Sequence, residues 1–204
     1  MERSARFISL SGLSGVFAGA VALVGAWVAR LHMAQAGAPG ADALTYGTAR
    51  AALRSGDALL WQLVLDGGAV LIVALAGAAY FTWRRSQRLG HALWAPGARK
   101  LLWNLAVPLV AGGVFCLVLM DQGLPGLVAP ATLVFYGLAL LNAGKYTLDE
   151  VHWLGLSELA LGLVALFWLG AGLLLWSLGF GVLHILYGGI MWMRYERNSP
   201  VANP

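Results

Sequence analysis

The sequence predicts an all-α integral membrane protein: a six-helix bundle built from three helical hairpins with a parallel internal repeat. Three observations carry this. Of 204 residues, 60% are apolar and only 11% are charged, whereas a soluble domain carries about 25% Asp, Glu, Lys and Arg. At a mean hydropathy of +0.76, so few charges cannot solvate a water-soluble globule, and the Leu, Ala, Val and Trp content excludes disorder. Second, nearly charge-free runs long enough to span a membrane recur along the chain. Third, two of these runs match each other residue by residue. Residues 1–204 read as a single membrane domain.

A helix crossing the roughly 30 Å hydrocarbon layer needs about 20 apolar residues. Runs without charge cover 7–29, 101–120 and 122–144, and the run 58–83 is interrupted only by Asp66. The stretch 151–193 has 43 residues with Glu158 as its one charge. As a single helix rising about 1.5 Å per residue it would be twice too long. It must reverse near 170–172, which forces Glu158 below the membrane surface. The spans are therefore expected at about 7–29, 59–82, 101–120, 124–144, 152–170 and 173–193. The first run is too long for a signal-peptide core and is expected to remain as a span.

The positive-inside rule orients these spans. With the N-terminus inside, the cytoplasmic segments hold Arg3, Arg6, Arg84, Arg85, Arg88, Arg99, Lys100, Lys145, Arg194 and Arg197, against Arg30, Arg50 and Arg54 outside. Both termini are then cytoplasmic, and the expected location is a bacterial inner membrane. The asymmetry accounts for the net charge of +4 without a nucleic-acid partner. In the outer segment 31–57, the turn Gly37-Ala38-Pro39-Gly40 precedes an Ala-rich stretch in which Asp42 can cap a short helix reaching Arg54. The inner segment 84–100 mixes Arg84, Arg85, Arg88, Arg99 and Lys100 with Leu89, Leu93 and Trp94, a composition suited to anionic headgroups of the bilayer. Eight tryptophans, at 27, 61, 83, 103, 153, 168, 176 and 192, fall near span ends, as interfacial belts require.

Gly12-Leu13-Ser14 and Gly155-Leu156-Ser157 open the repeat, and seven of the twelve positions in 12–23 and 155–166 are identical. Gly67, Val70, Leu71 and Gly77 align more weakly with Gly179, Val182, Leu183 and Gly189, and spans 4 and 6 share Tyr136-Gly137 and Tyr187-Gly188. Matched spans run the same way through the membrane, so the repeat is parallel. Gly15 with Gly19, and Gly155 with Gly162, form small-residue faces that let helices approach closely in lipid. Such a face can also join two copies of the chain, so a homo-oligomer is an open possibility.

Active-site patterns are absent: the sequence has no phosphate loop, nucleophile elbow or His-Glu-x-x-His helix. No catalytic residue, metal site or cofactor is expected, although haem held by His184 and a Met is a remote alternative. Cys116 is the only cysteine, so no disulfide forms within the chain. Three ionisable groups lie inside spans: Asp66, Glu158 and His184. A charge at mid-span costs on the order of 2.5 to 3.5 kcal/mol. In the repeat, Gly15 stands in the place of Glu158 and Ile72 in that of His184, so the fold does not require polar groups there. Asp66 precedes Gly67-Gly68, which can loosen the helix locally. Similar depths in one hairpin lead us to expect Glu158 facing His184 within about 8 Å, with Tyr187 close by and a proton exchanged between Glu and His near neutral pH.

The segments Lys145-Tyr146-Thr147-Leu148-Asp149-Glu150, Leu154-Gly155-Leu156-Ser157-Glu158, 179–188 and Arg194-Tyr195-Glu196-Arg197, together with 7–15, resemble an uncharacterised family of short six-span bacterial membrane proteins. More distantly, the layout of glycine-punctuated hairpins is similar to the HdeD-type acid-resistance membrane proteins, a likeness of fold with no site to transfer. The resulting expectation is a non-enzymatic protein with a structural, stress-related or sensory role. The alternative is a small proton-coupled transporter or permeation pathway using Glu158, His184 and Asp66.

Overall fold

The computed structural model describes residues 11–35, 58–89 and 96–197. The expected turn at 37–40, the Asp42 to Arg54 helix and the side chains of Leu89, Leu93 and Trp94 lie outside the described residues. The elements are α1 (Gly12–Gln35), α2 (Ala58–Leu89), α3 (Pro96–Asp121), a 3-10 turn (Pro125–Leu127), α4 (Val128–Gly144) and α5 (Asp149–Phe167). Span 6 is composite: a 3-10 turn (Leu169–Ala171), α6 (Gly172–Trp176), a π-helical segment (Ser177–Leu183) and α7 (His184–Tyr195). Among the described residues, six helical segments are long and apolar enough to cross a membrane. The chain is a multi-pass, all-α membrane protein.

The helices overrun the spans read from hydropathy. α2 continues through Arg84, Arg85 and Arg88, and α3 starts at Pro96 instead of 101. Charge marks the edge of hydrocarbon, whereas a helix keeps its backbone bonds in the headgroup layer while long basic side chains reach water. Pro96 suits a first helical position, where its missing N–H is no loss. α3 runs unbroken past Pro108, and α2 runs unbroken through Gly67-Gly68, so the loosening expected at those glycines does not occur. The π-helical irregularity lies instead at Gly179-Phe180-Gly181. The α3–α4 turn contains Gly123, whose φ of 74° is a left-handed conformation that suits glycine. α5 opens with Asp149 and Glu150 in its first turn, where the helix dipole favours negative charge. It ends at Trp168 (φ −128°, ψ 65°), next to the reversal expected at 170–172.

Chain order gives three hairpins, but packing regroups the third. α1 lies against α2, and α3 against α4, as hairpins should. α5 packs mainly on α4, and span 6 mainly on α1, with a smaller α5–span 6 contact. The bundle is thus two trios, α2–α1–span 6 and α3–α4–α5, meeting along a seam formed by span 6, α4 and α5.

The glycines named from the sequence determine this grouping. A Cβ on Gly12 or Gly19 would collide with the backbone of span 6, at Gly188 and Gly181 respectively, and one on Gly15 would press tightly on Gly188 and His184. A Cβ on Gly155 or Gly162 would strike α4, at the Gly137 carbonyl and at Val134, and Gly137 in turn abuts Leu159 and Gly155. The matching stretches therefore make like contacts: Gly12 meets the glycine of Tyr187-Gly188, and Gly155 that of Tyr136-Gly137. The Gly15/Gly19 face is occupied within the chain and is not free to join a second copy.

Where α1 begins and α7 ends, two carboxylates fasten the end of span 6, Glu196 within its own trio and Glu150 across to the other. Glu196 accepts from Ser11 Oγ at 3.1 Å, from the Gly12 N–H and from Arg85 Nη1 at 3.1 Å, which satisfies one of the orphan donors of the α1 N-terminus. Glu150, buried on α5, accepts from Arg194 Nη1 at 2.7 Å and from the Tyr195 hydroxyl at 3.2 Å. The expectation that Arg85 faces lipid headgroups is corrected: Arg85 is buried and turned inward onto Glu196. Arg84, Arg88, Arg99 and Lys100 are exposed.

Two outcomes follow for stability. Gly137→Ala, whose Cβ would meet backbone of α5, lowers thermal stability in detergent by about 1–3 kcal/mol, whereas Gly113→Ala, facing open space, changes it by less than about 1 kcal/mol. Equal effects would contradict the glycine seams. Glu196→Ala, which removes the acceptor shared by Ser11, Gly12 and Arg85, costs about 1–3 kcal/mol, and exposed Arg197→Ala costs less than about 0.5 kcal/mol, both read from the same melting curves.

Candidate functional site

Glu158 projects from the middle of α5 into the seam and is completely buried. It fits because Gly179 opposite has no side chain: a Cβ there would strike Glu158 Oε2 and Leu133. His184, the first residue of α7, lies beside it, with Nδ1 3.2 Å from Glu158 Oε1. Glu158 and His184 are therefore brought together, well within the expected 8 Å. Yet neither carboxylate oxygen has a hydrogen-bond partner among the described residues. The contact has the distance of an ion pair without the angle of a hydrogen bond.

The imidazole is held at both nitrogens. Nδ1 lies 3.1 Å from the Gly179 carbonyl, and Nε2 lies 2.8 Å from the Tyr136 hydroxyl of α4. A carbonyl only accepts, so Nδ1 carries a proton and donates to Gly179. In the neutral ring, Nε2 is then the acceptor and Tyr136 O–H donates to it. In the charged ring, Nε2–H donates and the Tyr136 oxygen accepts. The second proton of His184 is thus gained or lost at Nε2, under the Tyr136 hydroxyl, and not at the nitrogen that faces Glu158. Direct Glu-to-His transfer, as expected from the sequence, requires the Nδ1 bond to Gly179 to break first. With both nitrogens engaged and the residue buried, His184 offers no axial ligand to a haem iron in this arrangement.

The π-helical segment produces this geometry. An extra residue per turn shifts the register between Trp176 and His184, and the Gly179 carbonyl falls on Nδ1 of a side chain five positions later. Phe180, inside the segment, stacks on His184 with centroids 5.9 Å apart and makes tilted ring contacts with Tyr136 and Trp176, each at 4.9 Å. Trp176, expected only as an interfacial anchor, ends an internal aromatic row.

Of the other expected site residues, Tyr187 and Asp66 have partners elsewhere. The Tyr187 hydroxyl lies 3.4 Å from Ser157 Oγ, one helical face away from the Glu158 carboxylate, and its ring joins the apolar cluster around Leu154 and Met191. Asp66 Oδ2 lies 2.9 Å from Nδ1 of His32, joining α2 to α1. Ser14 on α1 bonds the Ser11 carbonyl. Sequence reasoning missed Tyr136 and Gly179 as site residues. Tyr136 was visible as the counterpart of Tyr187 in the shared Tyr-Gly pair, but placing it on His184 requires knowing that α4, as well as α5, lines the seam.

Compared with known protein families, curated proteins and solved structures, the chain matches none. Among the described residues, no group of three His, Cys, Asp or Glu side chains is placed to hold a metal ion.

Proposed function

We propose that this is a non-enzymatic membrane protein with a sensory or stress-related role, in which Glu158, His184 and Tyr136 form a proton-responsive element between the two trios. One observation carries the reading: a carboxyl group with no exposed surface and no hydrogen-bond donor sits against an imidazole held at both nitrogens. An unsatisfied buried polar group costs roughly 1–3 kcal/mol, and more if charged. Glycine at the matched position of α1 shows a bundle helix without that cost. A change in protonation alters the charge balance where α4, α5 and span 6 meet, and the π-helical segment there is an irregularity of the kind often found at functional sites.

Proton-coupled transport through the bundle has less support. Glu158 has no exposed surface, and Asp66 pairs with His32 on α1 and α2, away from the seam residues. The ten-to-three bias of basic residues supports a bacterial inner membrane with both termini in the cytoplasm.

In nanodiscs, the thermal stability of the wild type varies between about pH 5 and 8. Glu158→Gln flattens that profile and Tyr136→Phe shifts it. An identical profile in wild type and Glu158→Gln would refute the proton-responsive reading. Reporter fusions after Tyr46 and after Gly90 give periplasmic and cytoplasmic signals respectively, and the same signal from both would refute the orientation.

A further inference from the structure

A groove of 260 Å³ opens on the flank of the bundle between α3 and α4, lined by Trp103, Asn104, Val107, Pro108 and Asn142. A membrane-facing surface needs only apolar side chains, yet this one carries two amides and a proline. Pro108 has no N–H, so the carbonyl of Asn104, four residues earlier, loses its helical donor. Asn104 Nδ2 donates one of its two hydrogens to the Lys100 carbonyl at 2.8 Å, which leaves the other free to donate. The Asn142 side chain makes no hydrogen bond among the described residues. An acyl chain alone offers these amides no hydrogen-bond partner.

Its position along the membrane normal identifies the partner. On α3, Lys100, Trp103, Asn104, Val107 and Pro108 follow the i, i+3, i+4 spacing of one helix face. Lys100 therefore continues the groove toward the basic end, about 6 Å above Asn104 at 1.5 Å per residue. On α4, Lys145 follows Asn142 by three residues and retains helical backbone angles (φ −62°, ψ −22°), so it continues the same edge. Both lysines are exposed. Exposed Trp103 sits at the level where indole rings anchor in the interface. From the basic end inward, the order is ammonium groups, then amides, then the apolar surface of Val107 and beyond. A glycerophospholipid presents the matching order: phosphate, then ester carbonyls, then acyl chain.

We propose that the α3–α4 groove is a binding site for an anionic phospholipid. Lys100 and Lys145 contact the phosphate, and the Asn142 and Asn104 N–H groups donate to the ester carbonyls. Trp103 and Val107 pack along the glycerol and the first methylenes. This is a defined site with an amide layer, distinct from a general attraction of basic residues to the membrane surface, and it does not depend on the polar cluster in the seam.

The test is native mass spectrometry of the full chain, incubated in detergent with phosphatidylglycerol or phosphatidylcholine and released from the micelle. The wild type retains phosphatidylglycerol in preference to phosphatidylcholine. Retention falls about tenfold in Asn142→Leu and in the double variant Lys100→Gln/Lys145→Gln, as expected for the loss of one or two polar contacts. It is unchanged in Arg84→Gln/Arg88→Gln, whose charges lie elsewhere on the same end. Asn142→Ala, which adds no bulk, reproduces the Asn142→Leu result if the amide is the recognition element. Loss with the lysine variants but not with either Asn142 variant would mean a nonspecific anionic annulus and would overturn the site. Equal retention by all variants would overturn it too, as would equal competition by free glycerol 3-phosphate, which would show that the phosphate is bound without its lipid.

Discussion

Close approach between glycine-bearing backbones is the constraint on which this bundle rests. Lipid tails are as apolar as leucine, so burying apolar surface does not drive membrane helices together, and packing contact must do so instead. Such contact is greatest where no side chain intervenes. Gly12, Gly15 and Gly19 place α1 on span 6, and Gly137, Gly155 and Gly162 place α5 on α4. These two seams, more than the connecting loops, decide which helices are neighbours. They also explain why the last hairpin is loose: each of its helices already has a closer partner.

The loose hairpin creates the site. Because α5 and span 6 are each held from the other side, the space between them is filled by polar and aromatic side chains: Glu158, His184, Phe180 and Tyr136. Gly179 contributes twice, by making room for the carboxyl group and by lending its carbonyl to the imidazole. A regular α-helix would direct that carbonyl to the backbone N–H of residue 183, so the π-helical register matters to the chemistry. The arrangement fixes the tautomer of the neutral ring and moves its exchangeable proton to the side facing Tyr136.

At the basic end, the three consecutive residues Arg194, Tyr195 and Glu196 bind both trios, the first two through Glu150 on α5 and the third through Arg85 and the start of α1. A change in the relative position of the trios that began in the seam would be resisted or transmitted there. Span 6 is therefore connected to both halves at mid-membrane and at the interface. His184 lies on this element, and Glu158 packs against it.

The sequence by itself determined the class, the number of spans, the reversal near 170 and the burial of Glu158, because each follows from one-dimensional quantities: apolar run length against membrane thickness, and charge against the cost of burial. It also located the packing glycines and the proximity of Glu158 to His184, which adjacent spans at similar depth impose. Only the tertiary structure decided which helices those glycines join, and hence that Tyr136 from α4, instead of Tyr187 from span 6, completes the cluster. It alone turned Arg85 inward onto Glu196, paired Asp66 with His32 and placed the helical irregularity at 177–183 instead of at Gly67-Gly68. In lipid almost any face of an apolar helix is tolerable on the outside, so hydropathy leaves rotation about each helix axis undetermined. That rotation is fixed by contacts between residues far apart in sequence, and a run of Leu, Ala and Gly does not record it.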